Sequence, residues 1–245
     1  MIKRSLDIAI SLIGLICFSP ILLFVSILVW SNDKKSPFYV PLRVGKEGKI
    51  FYMVKLRSMV VNADKAGIDS TSNNDQRITP IGQIIRRYKL DELTQLWNVL
   101  LGDMSLVGPR PNVKAEVDLY TDVEKELLSV KPGITDFSSI VFSDEGKILE
   151  NKEDPDLAYN QLIRPWKSRL GLIYIKQQSI LLDVEIIIYT LVALISKRTA
   201  LNWVGKKLEN FEIDQDLVNI SKRETELFAY PPPGSDYIIT SIKKE

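Results

Sequence analysis

Two adjacent carboxylates, Asp91 and Glu92, are the residues of this chain best suited to chemistry. They lie between a basic segment that includes Arg86 and an apolar run, residues 93–100, with helical spacing. The sequence predicts that Asp91 is the N-cap or first residue of a helix that ends at Gly102. A carboxylate there faces free backbone N–H groups and the positive end of the helix dipole, which favours its ionised form. The ordinary interpretation of such a pair is a helix cap with a dipole partner.

Residues 102–111 read GDMSLVGPRP and predict a tight loop. Pro109 and Pro111 flank Arg110, and both prolines restrict the neighbouring backbone to extended conformations. The sequence therefore places a guanidinium on a stiff segment shortly after the two carboxylates.

Residues 76–111 resemble the core of the bacterial sugar transferase family, the small monotopic polyprenyl-phosphate phosphoglycosyl transferases of glycan assembly. The family pattern has the form RxxxxDELxQLxNVLxGDMSLVGPRP, and this chain follows it from Arg86 to Pro111. Thr94 occupies a position that is often proline in the family, a departure expected to matter little. The resemblance extends over roughly residues 3–194, and a match of this length is far more specific than a four-residue motif.

The resemblance implies transfer of a sugar 1-phosphate from a UDP-sugar to polyprenyl (undecaprenyl) phosphate, with release of UMP. This is the first membrane step in the assembly of exopolysaccharide, O-antigen or glycoprotein glycans. By the same resemblance, Asp91 is the nucleophile of an aspartyl-phosphosugar intermediate and Glu92 orients the site, and both are candidate Mg²⁺ ligands. Arg86 and Arg110 are expected to bind phosphate oxygens. The alternatives are a non-catalytic membrane-bound scaffold and a metal-dependent lipid phosphotransferase without a covalent step.

Composition excludes several other chemistries. The 245 residues include no histidine and a single cysteine, Cys17, which lies in an apolar run. A Ser-His triad, a His-ligated zinc and a disulfide within one chain are therefore excluded. Any metal must be held by oxygen ligands, which favours Mg²⁺ or Mn²⁺. The net charge of +1 gives no case for nucleic-acid binding.

Residues 6–30 form an apolar run that is long enough to cross a bilayer. Ser19 and Pro20 lie near its middle, and the proline predicts a kink because it removes a helix hydrogen bond. Basic residues flank both ends, Lys3 and Arg4 before the run and residues 34–35 after it. This pattern favours a re-entrant helix, which enters and leaves through one leaflet, over a straight span.

The family begins with the same charged pattern, KRxxD, and breaks its re-entrant helix at a Ser-Pro pair. Lys3, Arg4, Ser19 and Pro20 match these positions and are candidate membrane-anchor residues. Asp7 is either a partner for a basic residue at the interface or a tolerated charge near a helix end. We therefore expect contact with membrane lipids, at the bacterial inner membrane, with the catalytic domain on the cytoplasmic face.

Residues 37–59 alternate polar and apolar side chains around a turn at residues 45–48, which predicts a β-hairpin. If its second half continues as a strand, Lys55 and Arg57 share one face. Such a pair is either a solvated charged face or a grip for phosphate. The family carries the same basic pair, so both residues become candidate phosphate or phospholipid contacts.

The next segments are predicted from local pattern. Residues 62–76 are expected to form a polar loop, residues 113–130 a helix, residues 131–135 a turn and residues 140–149 a second hairpin. Lys131 replaces a family arginine and is a candidate phosphate contact. Asp136-Phe137-Ser138-Ser139 replaces the usual family string in a region that the family uses for nucleotide-sugar binding, so the identity of the sugar is left open.

Two further helices are predicted before a polar tail. Residues 158–174 form an amphipathic helix whose Pro165 and Trp166 suit a membrane interface. Residues 181–196 form an apolar helix that lies either in the core or at the interface, and its Asp183 is either a site residue or an N-cap.

The predicted architecture is α+β and mostly helical, a monotopic membrane protein with a re-entrant N-terminal helix, interfacial amphipathic helices and small β-hairpins. Residues 1–33 are expected to be the membrane helix, residues 34–199 the catalytic domain and residues 200–245 a C-terminal extension of unknown role. The sequence does not decide the oligomeric state, for which a homodimer is one candidate.

Overall fold

The computed structural model describes residues 2–66, 70–72 and 74–241. The described helices are α1 (Ile2–Asp33), α2 (Pro80–Arg87), α3 (Leu90–Leu93), α4 (Leu96–Leu101), α5 (Lys114–Val117), α6 (Phe137–Val141), α7 (Glu145–Ile148), α8 (Pro155–Leu162), α9 (Arg164–Gln177), α10 (Ile180–Ile195), α11 (Lys197–Asn210) and α12 (Gln215–Lys222). The described strands are β1 (Phe38–Tyr39), β2 (Leu42–Val44), β3 (Ile50–Tyr52), β4 (Lys55–Leu56), β5 (Ser105–Val107) and β6 (Gly133–Thr135). Helices dominate and the strands are short, which confirms the predicted mostly helical α+β class.

α1 lies against the body of the protein, which holds both of its ends. Near the N-terminus, Lys3 Nζ lies 2.6 Å from Asp183 Oδ2 in α10. At the C-terminal end of α1, Asp33 Oδ2 lies 2.5 Å from Arg57 Nη1. A small apolar cluster packs beneath the C-terminal half of the helix: Val25, Val29, Leu56 and Ile85. The two ends of α1 therefore contact one and the same body.

The Ser19–Pro20 pair lies inside α1, and the helix is continuous through it. Proline has no N–H, so Pro20 cannot donate to the carbonyl oxygen of Ile16, four residues earlier. Ser19 Oγ donates to that oxygen instead, at 2.8 Å. The serine hydroxyl thus satisfies the acceptor that the proline leaves open, which lets an apolar helix carry a proline.

The outward face of α1 is apolar, and α1 is long and apolar enough to cross a membrane by length and composition. An exposed apolar surface of this size marks contact with an apolar partner or phase. Its exposed apolar side chains are Ile2, Leu6, Ile8, Ile10, Leu12, Ile13, Ile16, Phe18, Ile21, Leu23, Phe24, Ile27, Leu28 and Trp30.

The predicted helix at residues 181–196 is confirmed as α10, which buries Leu182 and Ile186 in the core. Its opposite face is also apolar and exposed: Ile180, Leu181, Val184, Ile188, Leu191, Leu194 and Ile195.

The predicted hairpin at residues 37–59 is confirmed. β2 and β3 pair antiparallel with Arg43 opposite Phe51. Gly48, with φ of 75°, occupies the turn between them. β1 pairs antiparallel with β4, and Tyr39 lies opposite Lys55.

β5 and β6 form a parallel pair, so the predicted loop at residues 102–111 and the predicted turn at residues 131–135 are both wrong in part. Ser105 lies opposite Gly133, and Val107 lies opposite Thr135. The backbones approach closely because Gly108 and Gly133 face each other without side chains; a Cβ on Gly133 would overlap the backbone of Gly108. Two glycines therefore permit this strand pairing. The strands lack the run of β-branched residues from which a strand is usually predicted.

Three other local predictions are wrong. Residues 113–130 form the short α5 and a 3₁₀ segment, Glu124–Ser129, in place of one helix. Residues 140–149 belong to α6 and α7 in place of a hairpin, because Asp136 caps α6 by accepting a hydrogen bond from the Ser139 N–H at 2.7 Å. The predicted helix at residues 158–174 is divided into α8 and α9. Of the predicted polar loop at 62–76, residues 67–69 and 73 lie outside the described residues, and the 3₁₀ segment Ala63–Ala66 lies within them.

Trp166 does not lie at a membrane interface, contrary to the prediction. Its side chain is 2% exposed, and its ring stacks on Tyr230 with centroids 4.5 Å apart. Phe228 contacts the same ring edge-on at 5.4 Å. Pro165 is likewise buried. Local sequence does not encode this burial, because the covering residues lie about sixty positions later in the chain.

The predicted domain boundary after residue 199 falls inside α11. α11 and α12 contribute Val204, Leu208 and Val218 to the same core cluster that contains Phe137 and Leu170. The segment expected to be a polar extension therefore completes the core of the protein.

Substituting Gly133 by alanine should destabilise the protein by about 1–3 kcal/mol, the usual effect of overpacking a tight contact. The added methyl would separate β5 from β6, because its neighbours are backbone atoms of Gly108. Gly14→Ala is the matched control, since a Cβ there meets only the flexible Leu96 Cδ1, at 2.9 Å. Thermal unfolding of the two variants in one detergent measures the difference. An equal effect of the two substitutions would contradict the close approach at Gly133.

Candidate active site

The two carboxylates follow a sharp change in chain direction. α2 begins with Thr79 as its N-cap and ends before Lys89, whose φ of 56° is left-handed. α3 then starts at Leu90, so Asp91 lies in its first turn and Lys89 is the N-cap without a side-chain bond. The prediction that Asp91 is an N-cap or first residue is therefore wrong by one position. The predicted end of the helical run at Gly102 is confirmed, with φ of 96°.

Asp91 and Glu92 face cations from three segments of the chain. Lys55 Nζ in β4 lies 3.6 Å from Asp91 Oδ2. Arg110 Nη1 lies 3.2 Å from Glu92 Oε1, and Lys89 Nζ lies 3.5 Å from the same oxygen. We refer to Asp91, Glu92, Lys55, Lys89 and Arg110 as the carboxylate–cation cluster. The Asp91 side chain is 13% exposed and that of Glu92 is 21% exposed, so both are partly buried and still reachable from solvent.

Thr94 and Asn98 hold the strand of Lys55 against α3 and α4. Thr94 Oγ1 lies 2.9 Å from the Val54 carbonyl oxygen and 2.9 Å from that of Asp91. The Asn98 side chain accepts from the Val54 N–H at 2.9 Å and donates to the Tyr52 carbonyl oxygen at 2.7 Å. Neither residue was among the predicted site residues. For Thr94, the sequence signal for a hydrogen-bonding role was a hydroxyl side chain at a position that is often proline in the family.

Arg110 is fixed by the parallel strand pair. Its Nη1 donates to the Ile134 carbonyl oxygen in β6 at 2.9 Å. The Gly133 N–H donates to the Pro109 carbonyl oxygen at 2.9 Å, which ties the proline-flanked segment to the same strand. The negative charge of Glu92 raises the pKa of Arg110 against the opposing effect of burial, so the guanidinium stays charged.

Charge compensation also acts on Glu92 and Lys55. Burial by itself would raise the pKa of Glu92, but the charges of Arg110, Lys89 and Lys55 together outweigh it and lower the pKa from 4.5 to about 2. Burial lowers the pKa of Lys55, while the neighbouring charges of Asp91 and Glu92 oppose that shift. Glu92 is therefore an anion throughout the neutral range.

Arg57 and Lys131, two of the residues predicted to contact phosphate, do not contact Asp91 or Glu92. Arg57 donates to Asp33 and, through Nε, to the Ser36 carbonyl oxygen at 2.8 Å, so it does not join Lys55 at the carboxylates. Lys131 lies at the end of α4, where a Cβ on Gly102 would be 3.4 Å from Lys131 Nζ.

Arg86 also remains apart from the carboxylates. Its positive charge helps to lower the pKa of Asp75. Within residues 2–66, 70–72 and 74–241, no ion pair joins Arg86 to Asp91 or Glu92. The structure thus brings Lys55 and Arg110 to the pair and leaves Arg57, Lys131 and Arg86 outside the direct contacts.

The candidate anchor residues contact the protein body. Arg4 Nη2 donates to the Leu100 carbonyl oxygen at 2.8 Å, which satisfies the end of α4. Asp7 is buried and accepts from the Leu106 N–H at 3.1 Å, so it is a hydrogen-bonded residue of the protein interior. Asp183 is not an N-cap, because Ser179 caps α10, and it pairs with Lys3.

Within the described ranges, no group of three or more His, Cys, Asp or Glu side chains is placed to hold a metal ion. Asp91 and Glu92 offer two carboxylates, each already opposite a cation. Two carboxylates are fewer ligands than Mg²⁺ requires, so a metal at this cluster would need further oxygens from a ligand or water.

The fold and the cluster define a helical protein with a long apolar N-terminal helix and a charged site suited to anionic substrates. The model of the bacterial sugar transferase family matches residues 1–197. The chain therefore belongs to the bacterial sugar transferase family. The match covers every member of the carboxylate–cation cluster and ends at the first residue of α11.

Individual relatives agree with this assignment. The chain is 37% identical over 148 residues to exopolysaccharide production protein ExoY of Sinorhizobium fredii, covering 54% of this chain and 66% of that protein. It is 41% identical over 149 residues to undecaprenyl-phosphate galactose phosphotransferase of Salmonella typhimurium, covering 55% and 31%. It is 37% identical over 144 residues to UDP-N-acetylgalactosamine-undecaprenyl-phosphate N-acetylgalactosaminephosphotransferase of Aeromonas hydrophila, covering 57% and 34%. The chain thus spans from about a third to about two thirds of the length of these curated relatives.

Replacing Glu92 by glutamine should change how stability depends on pH. The folded-state pKa of Glu92 is depressed from 4.5 to about 2, so its ionised form contributes stability above pH 4.5 that is lost as the pH falls towards 2. The wild-type protein should therefore exceed Glu92→Gln in thermal unfolding midpoint near neutral pH, and this advantage should shrink across that acidic window.

Thermal unfolding in a pH series measures the effect, and Glu126→Gln at an exposed position controls for the loss of one charge. A gap between wild type and Glu92→Gln that stays constant from neutral to acidic pH would contradict the charge compensation.

Proposed function

We propose that the protein transfers a sugar 1-phosphate from a UDP-sugar to undecaprenyl or another polyprenyl phosphate, with release of UMP. The carboxylate–cation cluster carries this proposal, because it combines a reachable carboxylate at Asp91 with cations from three segments. The names of the Salmonella and Aeromonas relatives, which describe transfer to undecaprenyl phosphate, support it. The name of the Sinorhizobium relative supports a role in exopolysaccharide assembly.

The first step uses Asp91 as a nucleophile. A carboxylate oxygen of Asp91 attacks the phosphorus that carries the sugar, and the bond from that phosphorus to the bridging oxygen of the diphosphate breaks. UMP leaves with the electron pair, and an aspartyl-phosphosugar remains. A carboxylate is already ionised at neutral pH, so this step needs no general base.

The second step returns the enzyme to its starting state. An oxygen of the polyprenyl phosphate attacks the same phosphorus, the acyl–phosphate bond breaks, and Asp91 regains its carboxylate. The product is a polyprenyl diphosphate sugar. The lipid phosphate is also ionised, so neither step requires the imidazole that this chain lacks.

Repulsion between anions is the main barrier to this chemistry, and the cations of the cluster lower it. Lys55 lies beside the nucleophile at Asp91, where it would meet the donor phosphates. Arg110 is held by Glu92 and by the Ile134 carbonyl oxygen, and its remaining N–H donors can bind a phosphate oxygen. Glu92 would thus keep Arg110 oriented.

Mg²⁺ fits this site as a partner of the substrate. Magnesium in phosphate-processing sites is commonly bound by one or two carboxylates together with phosphate oxygens, and Asp91 and Glu92 are two such carboxylates. When bound, the ion would neutralise charge on the diphosphate.

The arrangement of α1 supports a monotopic, re-entrant attachment. Both ends of α1 contact the same body, through Lys3 with Asp183 and Asp33 with Arg57. A straight span would place these ends on opposite sides of about 30 Å of hydrocarbon. A shallowly inserted helix would bring the site to the level of the lipid phosphates. We place the protein at the bacterial inner membrane with the catalytic domain facing the cytoplasm.

A panel of UDP-sugars with undecaprenyl phosphate and Mg²⁺ tests the activity. We expect UMP release with one or a few donors, and the panel also identifies the sugar that the Asp136–Ser139 segment leaves open. Release with no donor would favour the non-catalytic scaffold.

Asp91→Asn tests the covalent route. We expect it to lower UMP release by roughly 1,000-fold or more, the scale seen when a nucleophile is replaced. Intact-mass spectrometry of wild type with donor and no lipid should show a phosphosugar adduct that Asp91→Asn lacks. Asp122→Asn, on a side chain 97% exposed, is the control. Near-normal turnover by Asp91→Asn would exclude the covalent mechanism.

A further inference from the structure

The first turn of α1 directs a lysine into the protein. Lys3 Nζ lies 2.6 Å from Asp183 Oδ2 and 3.2 Å from the Tyr174 hydroxyl oxygen. It also donates to the Val107 carbonyl oxygen at 3.1 Å. The Tyr174 hydroxyl lies 2.6 Å from Asp183 Oδ1 and 3.0 Å from the same Val107 oxygen. We refer to Lys3, Tyr174 and Asp183 as the anchor triad, because they join α1 to one backbone carbonyl.

That carbonyl belongs to the strand that leads into Arg110. Val107 is the last residue of β5, and only Gly108 and Pro109 separate it from Arg110. The Gly108 N–H donates to the Thr135 carbonyl oxygen at 3.0 Å, so the connecting segment is also tied to β6. A shift of Val107 therefore reaches Arg110 through a short segment that proline stiffens.

A second contact from α1 holds the same strand. Asp7, one turn after Lys3, accepts from Ser105 Oγ at 2.9 Å and from the Leu106 N–H at 3.1 Å. The polar side of α1 thus binds three consecutive residues of β5, ending at Val107. A helix that served only to attach the protein to lipid would not need these contacts.

The burial of the anchor triad makes its charges effective. The Lys3 side chain is 30% exposed, that of Asp183 is 11% exposed, and Tyr174 is fully buried. A pair at this depth is less screened than a surface pair. Without Lys3, the Asp183 carboxylate would lose its cationic partner and keep the hydrogen bond from the Tyr174 hydroxyl. A partly buried carboxylate without a cationic partner is destabilising, so we expect the structure around the Val107 carbonyl to rearrange.

We propose that the anchor triad positions Arg110 against Glu92, so that α1 is part of the active-site scaffold in addition to its membrane role. Its members are positioning residues, since their contacts reach Arg110 through Val107 and not through substrate. The inference rests on the proposed function for its kinetic readout and on backbone exchange for an independent one.

The kinetic test combines Lys3→Met with Arg110→Met in full-length protein in lipid nanodiscs. We expect Lys3→Met to lower kcat for UMP release roughly 10- to 100-fold, as displacements of about 1 Å in a site can do. In the Arg110→Met background, adding Lys3→Met should change kcat by less than about twofold, because the arginine that Lys3 positions is absent. Lys3→Arg should restore most of kcat. Lys35→Met, at an exposed position two residues after α1, should leave kcat unchanged.

A role in membrane attachment alone predicts a different result. Lys3→Met would then lower activity by the same factor with and without Arg110, and it would reduce the fraction of protein recovered with vesicles. Either outcome would overturn the proposal. Equal vesicle recovery of wild type and Lys3→Met, together with the loss of kcat, would support it.

Hydrogen exchange measured by mass spectrometry tests the same inference without turnover. In Lys3→Met and in Asp183→Asn, peptides that cover residues 105–111 should exchange at least roughly tenfold faster than in wild type, whereas Lys35→Met should match wild type. Unchanged exchange over these residues would overturn the positioning role even if the protein is active. Faster exchange in a protein that turns over no UDP-sugar would retain the positioning role and reject the proposed function.

Discussion

Two neighbouring carboxylates at a partly buried position repel each other, and cations from separate segments of the chain compensate this repulsion. Lys55 comes from the hairpin region, Lys89 from the turn before α3, and Arg110 from the segment after β5. The fold around the site is consequently organised to bring the three segments to one place and keep them there.

The fixation of each segment is polar and specific. Asn98 and Thr94 bind the backbone beside Lys55, and the glycine contact between β5 and β6 supports Arg110. α1 adds its inward polar side to this support while its outward side stays apolar. One helix thus presents exposed apolar residues on one face and groups hydrogen-bonded to β5 on the other.

Local sequence patterns predicted secondary structure correctly where one short segment contained all the information needed. The hairpin, α10 and the glycine that ends α4 were predicted because alternation, apolar length and a left-handed cap are each local. Prediction failed where a distant contact decided the structure. Trp166 was assigned to the membrane interface although Tyr230 covers it, and residues 140–149 were assigned to a hairpin although the Asp136 cap starts a helix.

The sequence by itself determined the family, the identity of the paired carboxylates, the absence of histidine chemistry and the apolar N-terminal helix, because each depends on residue type and spacing along one segment. Only the tertiary structure decided which cations serve the carboxylates. It selected Lys55 and Arg110 and directed Arg57 to Asp33, because an ion pair forms where folding places two charges within a few ångströms. It also turned Lys3 and Asp183, 180 positions apart, into partners, a proximity that no local pattern encodes.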